Sequence, residues 1–343
     1  MQTLPLLRLG LWLNRHLPPP ILQQLPYLFA ALAWMTRADE RRTIIANQRQ
    51  ILGGGSRARL QWQAYRVMVN VVRNYHALVR LHDLTNDEIR ALVDLRGVEH
   101  LEAALAGGRG VMILGAHIGN YNVLAPFTAL YGPPAGAFVE PVRPPELFDF
   151  VSTIRARTGL RLLPAGRDGA AAASRLLREN GILLVTNDRV LSASGASVEF
   201  FGRPAPLPQG AVVLALRGGV PILPATLRQL PHGRYLAHLR PPLPLVDTGR
   251  TREDVAANMR LVARALEETI GAAPEQWVML NPVWPADPVA EAPVGAVQQV
   301  AHWRSARPVS TADPRAAMLW LGGVALILAA VRPLWRRRNG RPR

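Results

Sequence analysis

The sequence predicts an α/β fold: a mixed, mostly parallel central sheet flanked by helices, with apolar helices at the N-terminal end and an apolar helix at the C-terminal end. Three observations carry this expectation. Between about residues 94 and 285, short apolar runs of strand length alternate with segments of helical periodicity. Apolar residues make up 49% of the 343 and charged residues only 19%, against about a quarter in ordinary soluble chains, so the chain can bury a large core and leans toward lipid. Both termini are more apolar than the middle.

Taken in order, residues 1–56 read as membrane-associating helices. The stretch from Leu4 to Met35 is mostly Leu, Pro, Ala and aromatics, but Arg8, Arg15 and the prolines at 18–20 interrupt it. Neither a secretory leader nor a full span fits that pattern. Helices lying in the headgroup plane do, with Trp12, Tyr27, Phe29 and Trp34 at the boundary. The alternative is an amphipathic arm packed on the body. Residues 58–81 read as a long helix that opens a 57–285 α/β domain. Strands are expected at 110–117, 136–141, 160–164, 181–187, 197–201, 220–228 and 235–239, and helices at 98–105, 121–130, 146–157, 170–178, 211–216 and 252–270. The proline-rich run from Arg203 to Gly210 reads as a rigid loop. A Pro- and Ala-rich linker follows at 286–315. Then 316–343 holds an apolar helix ending in an Arg-rich tail, borderline in length for a membrane crossing.

The chain has no cysteine, which removes disulfides, thiolate metal sites and a cysteine nucleophile. All 40 basic residues are arginine, so lysine Schiff-base chemistry and a phosphate-loop lysine are excluded as well. The net charge of +16 favours anionic surfaces: phospholipid headgroups, phosphorylated substrates or nucleic acid. The aromatics form no stacking array and both ends favour lipid, so nucleic acid is not the expected partner. The histidines other than His117 show no ligand spacing, and neither a metal nor a redox cofactor is expected.

The most informative segment runs from Gly110 through His117 to Asn122. An apolar strand ends at His117, Gly119 and Asn120 turn the chain, and a helix begins at once. In open α/β sheets, ligands gather beyond the carboxyl ends of the strands, where His117 stands. A helix start adds free N–H groups suited to an oxyanion or phosphate. A satisfied core histidine is the bland alternative.

Gly115 to Asn122 resembles the catalytic block of the bacterial lipid A lauroyl/myristoyl and phosphatidylinositol mannoside acyltransferases, within the lysophospholipid acyltransferase superfamily. Further blocks match in the same order: 140–148, Asn187-Asp188-Arg189, 198–210, 219–224 and 274–277. The resemblance implies a glycerol-phosphate-acyltransferase-like fold. It also implies that His117 is a general base in transfer of a fatty acyl chain from acyl-CoA or acyl carrier protein to a hydroxyl or amine of a glycolipid or phospholipid. It places the enzyme at the cell membrane, peripheral or anchored, with its active domain in the cytoplasm and anionic lipids as partners.

The family pattern has Asp or Glu five residues after the histidine, where this chain has Asn122. An amide can orient an imidazole but supplies no charge to the imidazolium. Either the chain is an impaired, lipid-binding paralogue, or another carboxylate takes over. The resemblance points to Glu199 as that carboxylate, with Asn122 orienting the ring. An edge-strand glutamate facing water fits Glu199's position equally well. For the acceptor headgroup the resemblance implies Glu140 and Arg155. Arg143, Arg189 and Asn120 complete the substrate-binding candidates.

Overall fold

A computed structural model of the chain describes residues 3–139, 145–190 and 195–284. Four helices come first, α1 (Thr3–His16), α2 (Pro19–Thr36), α3 (Ala38–Ile51) and α4 (Arg57–Asp83). The body continues with α5 (Asn86–Leu92), β1 (Val93–Arg96), α6 (Val98–Ala106), β2 (Val111–Gly115), α7 (Tyr121–Ala129), β3 (Ala135–Val139), α8 (Pro145–Arg157), β4 (Arg161–Pro164), α9 (Arg167–Arg178) and β5 (Ile182–Thr186). Then follow β6 (Gly195–Phe200), β7 (Arg203–Pro208), α10 (Gly210–Gly218), β8 (Ile222–Gln229), β9 (Tyr235–Leu239) and α11 (Thr251–Gly271).

Seven strands form one sheet in the order β1-β9-β8-β2-β5-β3-β4, in which β8–β9 is the antiparallel pair and the rest run parallel. The expected mixed, mostly parallel sheet is therefore present. Its central strand explains the unbroken apolar run at 111–114. Met112 and Leu114 pack against α9, α10 and α11 on one face, while Val111 and Ile113 pack toward α6 and α7 on the other. A strand covered on both sides needs apolar residues at every position.

Two elements escape the apolar pattern. Strand β1, Val-Asp-Leu-Arg, is a half-buried edge strand, too short and too polar to stand out. Helix α5 opens with a capping box, in which the Thr85 hydroxyl accepts from Glu88 N and the Glu88 carboxylate accepts from Thr85 N.

The run 203–208 is a strand and not the expected loop. It pairs antiparallel with β6 in a separate two-stranded sheet, with Val198 opposite Ala205 and Glu199 opposite Pro204. Pro204, Pro206 and Pro208 fall on alternate positions, so the missing N–H groups all lie on one edge, while Ala205 and Leu207 are buried.

The N-terminal helices stack on α4. Leu13, Leu17, Leu22, Leu25 and Phe29 form one cluster against Val72, and Ala30, Ala33 and Ile44 form another with Ala64, Val67 and Met68. Among the described residues no helix is long and apolar enough to cross a membrane. The linker from residue 286 and the C-terminal apolar helix lie outside the described residues.

Candidate active site

The register of two parallel strands builds the site. In β2 and β5, Val111 pairs with Ile182 and Gly115 with Thr186, so the residues two steps beyond each strand end, His117 and Asp188, also lie side by side. The Asn187 N–H donates to Gly115 O at 3.0 Å and carries the pairing past the strand ends. This is where the strand order reverses, with β8 on one side of β2 and β5, β3 and β4 on the other.

Asp188 is fully buried and its two oxygens hold three donors. His117 Nδ1 meets Oδ1 at 2.8 Å, while Oδ2 accepts from His117 N at 2.8 Å and from Trp277 Nε1 at 2.7 Å. Burial alone pushes this carboxyl up. The charge of His117 and the hydrogen bonds from His117, Trp277 and the backbone outweigh it and hold the group below the usual carboxylate range. An ionised Asp188 accepts the Nδ1 proton, which fixes the tautomer and leaves Nε2 as a basic nitrogen. The His117 side chain is 20% exposed.

The turn after His117 is fixed by the chain's last described segment. Ile118 bridges Trp277, Gly119 N donates to Gln276 O at 3.0 Å, and Val278 N donates to His117 O at 2.9 Å. Gly119 has φ +62°, and a Cβ there would lie 2.2 Å from Leu227 O, so only glycine fits. The Tyr121 ring stands edge-on to the imidazole, centroids 5.2 Å apart. Burial raises its phenol, and Arg155 and Arg189, both nearby, oppose the rise.

The candidates divide on this geometry. Glu199 does not meet the imidazole: it is exposed on β6, beside a cavity of about 160 Å³ that it lines with Ala256, Met259 and Arg260. Strand alternation turns Val198 and Phe200 inward and Glu199 out, so the water-facing alternative describes it. Asn122 is buried but does not orient His117; its Oδ1 accepts from Arg155 at 2.8 Å. Asn120 is fully buried, with Nδ2 3.4 Å from the Tyr235 hydroxyl, so it holds the turn and does not line the cleft. Arg155 and Arg189 are half-buried near Tyr121. Glu140 and Arg143 lie outside the described residues. Asp188 and Trp277 are the two site residues that the sequence reading assigned no role. Each sat in a matching block, but only the adjacency of β5 to β2 makes them neighbours of His117. Among the described residues no cluster of His, Asp and Glu could hold a metal.

This arrangement, an imidazole held in one tautomer by a buried carboxylate at the open end of a doubly covered sheet, is suited to taking a proton from a bound hydroxyl. The profile of the bacterial lipid A biosynthesis acyltransferases matches residues 5–285, and the chain belongs to that family. By family it is an acyltransferase of lipid biosynthesis. It is similar to the phosphatidylinositol mannoside acyltransferase of Mycobacterium tuberculosis H37Rv, 28% identical over 220 residues, 63% of this chain and 68% of the relative. It is also similar to the enzyme of the same name from Mycolicibacterium smegmatis, 25% identical over 223 residues, 64% of this chain and 71% of the relative.

Proposed function

We infer that the chain transfers a fatty acyl group from acyl-CoA or acyl carrier protein to a hydroxyl of a glycolipid, with His117 as general base and Asp188 as its carboxylate partner. The observation that carries this reading is the 2.8 Å bond between His117 Nδ1 and the buried Asp188. Nε2 takes the proton of the acceptor hydroxyl as its oxygen attacks the thioester carbonyl. The C–S bond then breaks, the thiolate leaves, and the imidazolium returns its proton to the sulfur. General-base assistance of this kind contributes typically about 10² to 10⁴-fold. Neither a covalent acyl-enzyme nor a metal is part of the scheme. In this reading the charge that Asn122 lacks comes from Asp188, which argues against an impaired paralogue.

The glycolipid acceptor follows the relatives' name, and Arg155 is suited to an anionic part of its headgroup. Membrane association is supported by an exposed aromatic surface on the N-terminal helices and α4. Met35 and Trp62 are 67% and 61% exposed, Trp62 stacks on Tyr65, and Tyr65 meets Trp34 edge-on. Arg41 and Arg73 lie over Trp34 and Tyr27, as suits the boundary between acyl chains and phosphates.

The test is thiol release from acyl-CoA or acyl carrier protein by the purified chain in the presence of a lipid extract, with the product lipid identified by mass spectrometry. His117→Ala is expected to abolish transfer and Asp188→Asn to lower kcat by roughly 10²- to 10⁴-fold, the range that general-base assistance contributes. Transfer that survives His117→Ala removes the reading.

A further inference from the structure

We propose that Asn122 is a specificity-determining residue: it anchors Arg155 in the cleft through a neutral hydrogen bond, so that the guanidinium keeps its charge for a phosphate on the acceptor headgroup. The proposal rests on reading the His117 cleft as the acyl-transfer site, and deepens it by giving position 122 a task separate from the imidazole.

Arg155 reaches from α8 to the first turn of α7, where its Nη2 donates to Asn122 Oδ1 at 2.8 Å. Its Nε is buried and has no hydrogen-bond partner. Among the described residues no carboxylate pairs with it. Asp188, the acid near the same tyrosine, already spends both oxygens on His117 and Trp277. Several arginines elsewhere have an acid beside them: Arg15 with Asp83, Arg37 with Glu40, Arg161 with Glu179, Arg240 with Glu268. Burial works against the charged form of Arg155. A partly buried guanidinium whose protein partner is neutral, with an N–H left over, is expensive unless a bound anion completes it.

Asn and Asp have nearly the same shape and differ in charge. An aspartate at 122 would accept the same hydrogen bond and neutralise Arg155 within the protein. The asparagine positions the fork and leaves its charge for the ligand. Phosphate could reach the cleft on the acceptor or on the donor's phosphopantetheine arm. Tyr121 meets the imidazole edge-on and feels the charge of Arg155, whereas the donor's phosphate lies a full pantetheine arm from its thioester; the anion is therefore assigned to the acceptor.

The experiment uses the full chain in detergent. Inorganic phosphate is titrated calorimetrically into wild type, Asn122→Asp and Asn122→Ala, and the KM for acceptor and for donor are measured separately. Expected are saturable phosphate binding by wild type, weakening of roughly tenfold or more in Asn122→Asp, and a smaller loss in Asn122→Ala, which keeps the charge but loses the anchor. In turnover the Asn122→Asp loss falls on the acceptor KM and not on kcat, and the pH profile stays in place. The proposal is overturned by equal phosphate affinity in wild type and Asn122→Asp. It is equally overturned by a rise in kcat with a moved pH profile, which would mean that residue 122 acts on His117, or by a change confined to the donor KM. Phosphate affinity that follows the charge at 122 in a chain with no acyl transfer would sink the enzymatic reading while leaving the anion site standing. Robust transfer with phosphate binding indifferent to residue 122 does the reverse.

Discussion

Trp277 donates its indole N–H to a carboxylate that also holds His117, and it is 1% exposed, so the ring cannot turn away without opening the core. Its effect on chemistry passes through Asp188. Trp277→Phe keeps an aromatic side chain, though a smaller one, and removes one of three donors. One of the bonds that lower Asp188 is lost, so the carboxylate becomes a stronger acceptor for the Nδ1 proton. The expected result is a several-fold loss in kcat with the acid limb of the pH–rate profile moved to higher pH, a displacement that a merely structural tryptophan would not cause. Asp188 also links the site to stability. Its folded-state pKa is depressed, so its contribution is present above the unfolded value of about 3.9 and is lost as pH falls through the folded value. The sequence made His117 legible because an apolar strand ends there. Asp188 stayed hidden because β3 and β4 intervene in the chain between two strands that are neighbours in the sheet. Glu199 drew attention as an acid in a matching block, but its burial was unknown. The corresponding check is Glu199→Gln, expected to leave transfer at the wild-type rate beside the crippled Asp188→Asn.

At the scale of elements, the β6–β7 hairpin shows how far pattern reading carries. Apolar runs in the central sheet located its interior strands to within a residue or two, since burial on both faces leaves a continuous signal. Of the hairpin, the pattern marks β6, expected at 197–201, but not β7, which is half proline. Its tip is strained: Phe201 has φ 50° and Gly202 φ 73°, the left-handed pair that a two-residue turn demands. Phe201 N donates to the Glu267 carboxylate of α11, and Phe201 O accepts from Gln50 of α3 at 2.7 Å. A β-branched residue tolerates positive φ poorly, so Gly202→Val is expected to cost about 1–3 kcal/mol and lower the melting temperature in calorimetry. Helix α4 carries a second titrating feature. Burial, and then the charge of Arg80, lower His76 to about 4. The unfolded imidazole, near 6.5, takes up a proton that the folded one refuses, so stability is full above that value and declines as pH drops toward 4. His76→Leu is expected to flatten this part of the stability–pH curve.

For the whole molecule, charge and shape act together. A net charge of +16 favours anionic surfaces, and the aromatic surface on α2 and α4 suits the proposed docking at a bilayer. Full-length protein is expected to float with vesicles containing phosphatidylglycerol, to bind purely zwitterionic vesicles less, and to lose affinity as salt rises. Replacing Trp12 and Trp62 together by alanine should weaken the salt-resistant part. Equal binding to neutral and anionic vesicles would contradict the charge argument. The fold class was legible at this scale because alternating strands and helices leave few alternatives, whereas the stacking of the N-terminal helices on α4 depends on tertiary contacts that no local pattern records.

The stitch between the histidine turn and the segment around Trp277 sets an order of events during synthesis. The strand that leads to His117 leaves the ribosome early, yet the indole that holds Asp188 emerges only as the α/β body nears completion. A nascent chain can therefore assemble much of its sheet before the His117 turn is braced. Under the proposed function, a chain cut short before residue 277 is expected to fold in part and remain inert.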